Sequence, residues 1–146
     1  HEDMRRVCVF VTRDDTLAED ATQMAWAVAW QKLGTLRAPD RLRPWLISVA
    51  VNQAKDLLRS RNRRSELEVA TDESRVSGGK HPATGIERHD PLEAMGRQQP
   101  EDRALIAMRY VLGFDATELA AAFGGSPAGI RQRLKRLMDH LRQELA

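Results

Sequence analysis

The stretch from Phe114 to Leu145 constrains the fold most, because it contains two helix patterns separated by a pair of glycines. Asp115, followed three residues later by Glu118, has the spacing of a capping box, in which two side chains satisfy free N–H groups at a helix start. Gly124 then ends this short helix, since glycine is the usual residue where a helix terminates. The stretch therefore begins with a short helix and a tight turn.

A longer helix is predicted directly after the turn. Ser126 is a good N-cap residue, and Pro127 suits the first helical position because the N–H that proline lacks has no partner there. Apolar residues follow at helical spacing, at Ile130, Leu134, Leu137, Leu141 and Leu145. The cations on the other faces are Arg131, Arg133, Lys135 and Arg136. The two segments make a helix-turn-helix pattern, whose second helix enters the DNA major groove, although an ordinary helical hairpin with a solvated basic face has the same pattern.

Charge is segregated along the chain, although the net charge of the 146 residues is only +2. Between Arg37 and Arg64, eight basic residues stand against two acidic ones. Between Ser65 and Met95 the balance reverses, with seven acidic residues against three basic ones. A basic block followed by an acidic one indicates a nucleic-acid surface and a segment that is kept off it or mimics nucleic acid. Two unrelated solvated stretches are the plainer alternative.

Helical periodicity covers most of the remaining chain. Thr16 and Glu19 have capping-box spacing and open a helix that runs to about Leu33. Its predicted apolar stripe and the two tryptophans expected to pack beside it are Leu17, Ala21, Met24, Val28, Trp26 and Trp30. A further helix spans residues 41–64, with Trp45 on its apolar face. Because no segment shows the sustained alternation of a strand, we predict an all-α protein.

The helical pattern stops after Arg64, where Ser, Thr, Gly, Pro and charged residues dominate. We interpret residues 65–95 as a flexible acidic linker. A structureless loop of this length is unusual inside one compact domain. The sequence therefore predicts two small helical domains, one at residues 1–64 and the other at residues 96–146.

Several classes of protein are excluded by the sequence. Cys8 is the only cysteine, so an intrachain disulfide is impossible and nothing indicates a secreted disulfide scaffold. The four histidines show no metal-ligand spacing with Cys8, and no phosphate-binding loop or nucleophile motif is present, so we expect no catalytic residues, cofactor or metal. No apolar run approaches the roughly 20 residues of a membrane span, and no signal peptide is visible. We therefore expect a cytoplasmic protein without membrane insertion.

Three blocks of the chain match the sequence patterns of one known family. The first block, from Leu17 to Trp30, matches at Ala18, Glu19, Asp20, Gln23, Ala29 and Trp30. The second block, from Leu42 to Arg64, matches at Arg43, Trp45, Leu46, Ala50 and Asn52. The third block begins at Pro100 and matches at Pro100, Leu105, Arg109, Glu118, Leu119, Ala120, Ile130, Arg133, Leu134 and Arg136. In this order and spacing, the blocks resemble the extracytoplasmic-function sigma factors of bacterial RNA polymerase.

The resemblance implies that each block has a separate role in transcription initiation. A polar face on the first block would bind the clamp helices of the polymerase's largest subunit through Glu19, Asp20 and Gln23. The basic helix would open the promoter minus-ten element and hold its single strand through Arg37, Arg41, Arg43, Asn52, Arg59, Arg61, Arg63 and Arg64. The helix-turn-helix would bind phosphates and guanine edges of the duplex minus-thirty-five element through Ser126, Arg131, Arg133, Lys135 and Arg136.

The same resemblance implies the partners of the chain. They would be core RNA polymerase, contacted at its clamp helices and its flap, promoter DNA, and an anti-sigma factor that holds the chain beforehand. The acidic linker would thread toward the polymerase active site and RNA exit path, and the free chain would be a monomer.

The chain also departs from the family pattern. Met24 and Val28 stand where the family usually has charged residues, so this face could instead bind an inhibitory partner. Two other functions stay open. One is a helix-turn-helix regulator that binds an operator without polymerase, although such regulators usually dimerise on palindromes. The other is a sigma-like protein that sequesters a partner.

Overall fold

The computed structural model describes residues 1–71 and 90–146, and every regular element within these two ranges is helical. The α-helices are α1 (Glu2–Thr12), α2 (Asp15–Lys32), α3 (Leu42–Thr71), α4 (Pro91–Arg97), α5 (Pro100–Ile106), α6 (Ala116–Phe123) and α7 (Pro127–Leu145). Two short 3₁₀ turns, Leu33–Thr35 and Pro39–Arg41, connect α2 to α3, and a π-helical turn, Ala107–Val111, extends α5. The prediction of an all-α protein is confirmed.

The buried face of α2 differs from the predicted stripe. It consists of small side chains, at Ala18, Ala21, Thr22, Ala25 and Ala29. Because the distance between packed helices depends on the side chains at the contact, these small residues bring α1 and α3 close to α2. Met24 and Trp26 are exposed instead, and Trp30 is 83% exposed. The predicted packing role of the two tryptophans is therefore wrong, since periodicity favoured the large apolar residues over the alanines that the close contact requires.

The start of α2 also differs from the prediction. The N-cap is Asp14, whose carboxylate accepts a hydrogen bond from the N–H of Leu17 at 2.9 Å. The capping box predicted from Thr16 is therefore wrong, because the helix already begins at Asp15 and Thr16 lies inside its first turn. The predicted end near Leu33 agrees with the last residue of α2, Lys32.

The helix-turn-helix forms as its sequence predicts. The N–H of Glu118 donates to the carboxylate of Asp115 at 2.8 Å, and the Glu118 carboxylate accepts from the N–H of Asp115 in return. Gly124 and Gly125 have φ values of 85° and 84°, a region that residues with a side chain rarely adopt. The hydroxyl of Ser126 then caps α7 by accepting from the N–H of Gly129 at 3.0 Å. These local bonds fix the turn between α6 and α7.

One apolar core joins the N-terminal helices to the C-terminal ones. Its buried members come from α1, α2, α3, α5, α6 and α7 and include Val7, Ala21, Ala50, Leu105, Leu119 and Leu134. Arg103 of α5 is buried beside this core, with Nε donating to the carbonyl oxygen of Phe10 at 3.0 Å and Nη2 donating to that of Val11. The segments predicted as separate domains thus pack together here, and their boundaries at residues 1–64 and 96–146 stay a prediction.

Both ends of the predicted linker are helical. Helix α3 continues to Thr71, beyond the predicted linker start at Ser65, and α4 begins at Pro91, before the predicted linker end. Residues 72–89, the centre of the predicted linker, lie outside the described residues.

Candidate nucleic-acid and polymerase interface

The three predicted polymerase-binding residues lie in the N-terminal half of α2. Glu19 is held from two sides: its Oε2 lies 3.6 Å from Nε of Arg5, and its Oε1 accepts from Nε2 of Gln23 at 3.1 Å. Asp20 and Gln23 are exposed, and Asp20 forms no ion pair with another described residue. The structure therefore brings Glu19 and Gln23 together and leaves the carboxylate of Asp20 free to bind a partner.

The predicted minus-ten residues extend from the connection before α3 into its C-terminal half. Arg37 and Arg41 are exposed on that connection. On α3, Arg59 pairs with Asp56 at 3.1 Å, and Nη1 of Arg61 lies 3.2 Å from the carboxylate of Asp14 at the α2 N-terminus. Further along the helix, the remaining exposed cations are Arg63 and Arg64. Exposed ion pairs of this kind contribute little to stability, so these arginines can exchange their carboxylates for phosphates.

Arg43, another predicted minus-ten residue, is engaged by both halves of the chain. Its Nε and Nη2 donate to one carboxylate oxygen of Asp3 at 3.3 and 3.1 Å. Nη2 also donates to the carbonyl oxygen of Leu112 at 3.0 Å, and the guanidinium carbon lies 4.6 Å from the ring centre of Phe114. A cation over an aromatic face is attracted by the ring quadrupole. Arg43 therefore connects α3 to the segment that precedes α6.

The predicted minus-thirty-five residues divide into two groups. Arg131, Lys135 and Arg136 are exposed on α7, where none of them forms an ion pair with another residue of the described ranges. Arg133 instead faces α5, where its Nε and Nη2 donate to one oxygen of Asp102 at 3.1 and 2.6 Å. The Arg133 side chain is only 33% exposed. The first group is presented to solvent, whereas Arg133 is held within the fold.

Part of α3 borders α6 across two cavities. A cavity of about 300 Å³ separates Arg41 and Trp45 from Glu118 and Ala122 of α6, so Trp45, predicted to be core, is only half-buried at this cavity. A smaller cavity of about 70 Å³ lies beside it, and its lining includes Asn52 and Phe123. The structure therefore places two of the predicted minus-ten residues, Arg41 and Asn52, next to the first helix of the helix-turn-helix.

Sequence reasoning missed the acidic partners of the two engaged arginines. Asp3 lies 40 residues before Arg43, and Asp102 lies 31 residues before Arg133. No local pattern connects residues so far apart in the chain.

The described residues contain no metal-binding cluster and no membrane-spanning helix. No group of three or more His, Cys, Asp or Glu side chains in residues 1–71 and 90–146 is arranged to hold a metal ion. No helix in these ranges is long and apolar enough to cross a membrane.

Comparisons with known proteins agree with this architecture. Residues 1–64 match the family model described as sigma-70 region 2. The chain is 30% identical over 139 residues to the RNA polymerase sigma factor CarQ of Myxococcus xanthus. The matched region covers 92% of this chain and 78% of that protein. The chain is also 30% identical over 146 residues to the probable RNA polymerase sigma factor RfaY of Xanthomonas campestris, covering 95% of this chain. The chain spans only 36% of the length of that second relative.

A solved structure shares the fold. It is the sigma factor RpoE of Bartonella quintana in complex with the anti-sigma factor NepR, with a TM-score of 0.73 and 21% identity over 97% of this chain and 89% of that one. The fold is consistent with the assignment that the sequence relatives give. The chain belongs to the sigma factors of bacterial RNA polymerase and is of their extracytoplasmic-function type.

Proposed function

We propose that this chain binds core RNA polymerase and directs it to promoters by reading a minus-ten and a minus-thirty-five element. The observation that carries the proposal is the exposed cation set of α7. Arg131, Lys135 and Arg136 project from the second helix of a helix-turn-helix whose N-terminus is capped by Ser126. Free N–H groups at a helix start attract phosphate, and arginine binds guanine edges in the major groove. Helix α7 would read the minus-thirty-five duplex.

The minus-ten strand would lie along α3 and the connection before it. Arg37, Arg41, Arg59, Arg61, Arg63 and Arg64 supply cations for phosphates, since each is exposed. Asn52 is exposed on the same helix and supplies an amide for the edge of an unstacked base. Arg43 belongs to this set only when it leaves its contacts with Leu112 and Phe114.

The polymerase would be contacted by α2. Asp20 offers an exposed carboxylate without an ion pair to another described residue, and Gln23 lies one helical turn further along. Such a polar face suits the polymerase clamp helices, and the flap would contact the C-terminal helices. The chain would perform no chemistry itself, and an anti-sigma factor would hold it before activation, as the RpoE of Bartonella quintana is found with NepR.

The test is co-elution of the chain with bacterial core RNA polymerase on size exclusion, followed by open-complex formation on a promoter library. We expect stable co-elution and selective opening of promoters that share two spaced elements. An Asp20→Ala, Gln23→Ala variant should co-elute less, while a Glu66→Ala control on the exposed end of α3 should co-elute normally. Unchanged co-elution of the α2 variant would remove these residues from the interface.

The same experiment tests the alternatives. A well-folded chain that never co-elutes with polymerase but dimerises on a palindromic duplex would be an operator-binding regulator. A chain that binds neither polymerase nor DNA would be a sequestering module.

A further inference from the structure

A cleft of about 410 Å³ lies where α3 meets the start of α5 and α7. Leu58 and Pro100 give it apolar surface, and every other side chain that lines it is charged or carries an amide. Small-molecule sites have this size and combine apolar surface with a few polar groups that fix the orientation of the ligand. The polar groups that have no partner within the fold therefore indicate which ligand chemistry the cleft can bind.

Five charged side chains line the cleft, and three of them are already paired. Nη2 of Arg133 donates to the carboxylate of Asp102 at 2.6 Å, and Arg59 pairs at 3.1 Å with an aspartate one turn earlier on α3. The other two are Lys55 of α3 and Glu101 of α5. Neither side chain forms a hydrogen bond or an ion pair with another described residue. The cleft therefore presents one unpaired positive charge and one unpaired negative charge.

Lys55 and Glu101 are both half-buried, and both also line the adjoining cavity of about 70 Å³. Each therefore faces the space between α3 and α5 from its own helix. A charge that is partly removed from water costs free energy unless a group of opposite charge compensates it, and solvent screens such a charge less than an exposed one. A bound molecule with one anionic and one cationic group would compensate both charges.

We propose that this cleft binds a zwitterionic α-amino acid that has a polar side chain. The carboxylate of the amino acid accepts from the ammonium of Lys55, and its own ammonium donates to the carboxylate of Glu101. The amides of Asn62 and Gln99 also line the cleft and form no hydrogen bond with another described residue. They can donate to and accept from the polar side chain of the ligand.

A phosphate or a DNA backbone suits the cleft less well. Phosphate oxygens would accept from Lys55, but the carboxylate of Glu101 would repel them, and a DNA backbone carries no donor for that carboxylate. A simple cation has the converse defect, since Lys55 would repel it. A ligand that carries both charges satisfies both side chains at once, which distinguishes this cleft from the exposed basic surfaces of α3 and α7.

The test is calorimetric titration of the free chain with L-glutamine and with two analogues that each lack one charge. Glutaramate has no ammonium, and 4-aminobutanamide has no carboxylate. We expect L-glutamine to bind and to raise the thermal unfolding midpoint, because a ligand that binds only the folded chain stabilises it. Each analogue should bind at least about tenfold more weakly, since it lacks one charge-assisted hydrogen bond.

Two conservative substitutions connect the binding to the named side chains, neither of which belongs to the proposed DNA-binding or polymerase-binding sets. Lys55→Gln should weaken L-glutamine binding at least about tenfold and leave the binding of 4-aminobutanamide unchanged. Glu101→Gln should weaken L-glutamine binding equally and leave the binding of glutaramate unchanged. The control is Glu93→Gln on the exposed face of α4, which should bind L-glutamine normally. A merely structural role of Lys55 and Glu101 would not produce this crossed pattern.

The proposal is overturned if neither L-glutamine nor L-glutamate binds the folded chain up to its limit of solubility. Equal binding of L-glutamine and glutaramate would also overturn it, because the carboxylate of Glu101 would then have no ligand. So would a loss of stability in both variants with no response to L-glutamine, which is the result expected if Lys55 and Glu101 pair directly with each other. None of these measurements uses polymerase or DNA, so their failure is distinguishable from a failure of the proposed function.

Discussion

At the residue scale, the arginines of the candidate surfaces divide by what they already contact. Arg131 and Arg136 face solvent, whereas Arg133 donates twice to one oxygen of Asp102. Charge alone does not distinguish these residues, because all of them lie on one basic helix. Their contacts do distinguish them: replacement with alanine should lower stability at Arg133 and weaken DNA binding at Arg136.

Arg133→Ala should destabilise the fold by about 1–2 kcal/mol, because it leaves the half-buried carboxylate of Asp102 without its charged donor. Arg136→Ala should change stability by less than about 0.5 kcal/mol, since Arg136 is exposed. It should instead weaken binding to the minus-thirty-five duplex by roughly 1–3 kcal/mol if it contacts a base. Urea unfolding and duplex titration measure the two effects. Equal stability of the two variants would show that the Asp102 pair contributes nothing.

Cys8 predicts a pH dependence of stability. Burial raises the pKa of its thiol from 9.0 to about 11, and the neighbouring hydroxyl of Thr22 offsets a smaller part of this rise. The unfolded chain therefore loses this proton at lower pH than the folded chain, so stability present below pH 9 should be lost as the pH rises toward 11. The measurement is the urea midpoint across that range. Cys8→Ala should flatten the decline relative to the unmodified chain; an identical decline in both would contradict the prediction.

At the element scale, one short polar side chain caps the start of each of the helices α2, α4, α6 and α7. The caps at Asp115 and Ser126 are the ones that sequence spacing predicts, because cap and capped N–H lie three residues apart. At the start of α2, the cap that forms is Asp14, two residues before the predicted Thr16. Asp14 also pairs with Arg61 of α3, a contact that local spacing does not contain.

Asp14→Ala should therefore destabilise the fold by about 1 kcal/mol or more, because it removes the α2 cap and the partner of Arg61 together. The matched control is Thr16→Ala, which removes the hydroxyl of the cap predicted from sequence and should be nearly neutral. Thermal unfolding followed by circular dichroism measures both. A larger loss for the Thr16 variant would restore the predicted capping box.

At the scale of the whole molecule, the two halves are joined through a buried cation as well as an apolar core. Arg103 is 6% exposed and donates to carbonyl oxygens of Phe10, Val11, Gly96 and Gln98. Burial, and next the charge of Arg13, lower the pKa of Arg103. A buried charge is tolerated where hydrogen bonds replace its water, and these carbonyls are acceptors left free near helix ends.

Arg103→Met should destabilise the chain by about 3 kcal/mol, because it leaves several buried carbonyl oxygens without a donor. Arg97→Met is the control, since Arg97 is exposed and pairs only with Glu144 among its described neighbours. Urea unfolding should show a lower midpoint for the first variant alone. If both variants unfold like the unmodified chain, Arg103 does not hold the halves together.

The sequence by itself determined the helical class, the helix-turn-helix and its caps, because these depend on residues within one or two turns of each other. It also determined which segments are basic. Only the tertiary structure decided which face of α2 is buried, since close packing selected alanines over the tryptophans at Trp26 and Trp30. The tertiary structure likewise decided that Arg43 and Arg133 are engaged, because Asp3 and Asp102 reach them only when distant helices meet. Long-range pairing and the choice between competing apolar faces are set by the whole fold, and no local pattern contains them.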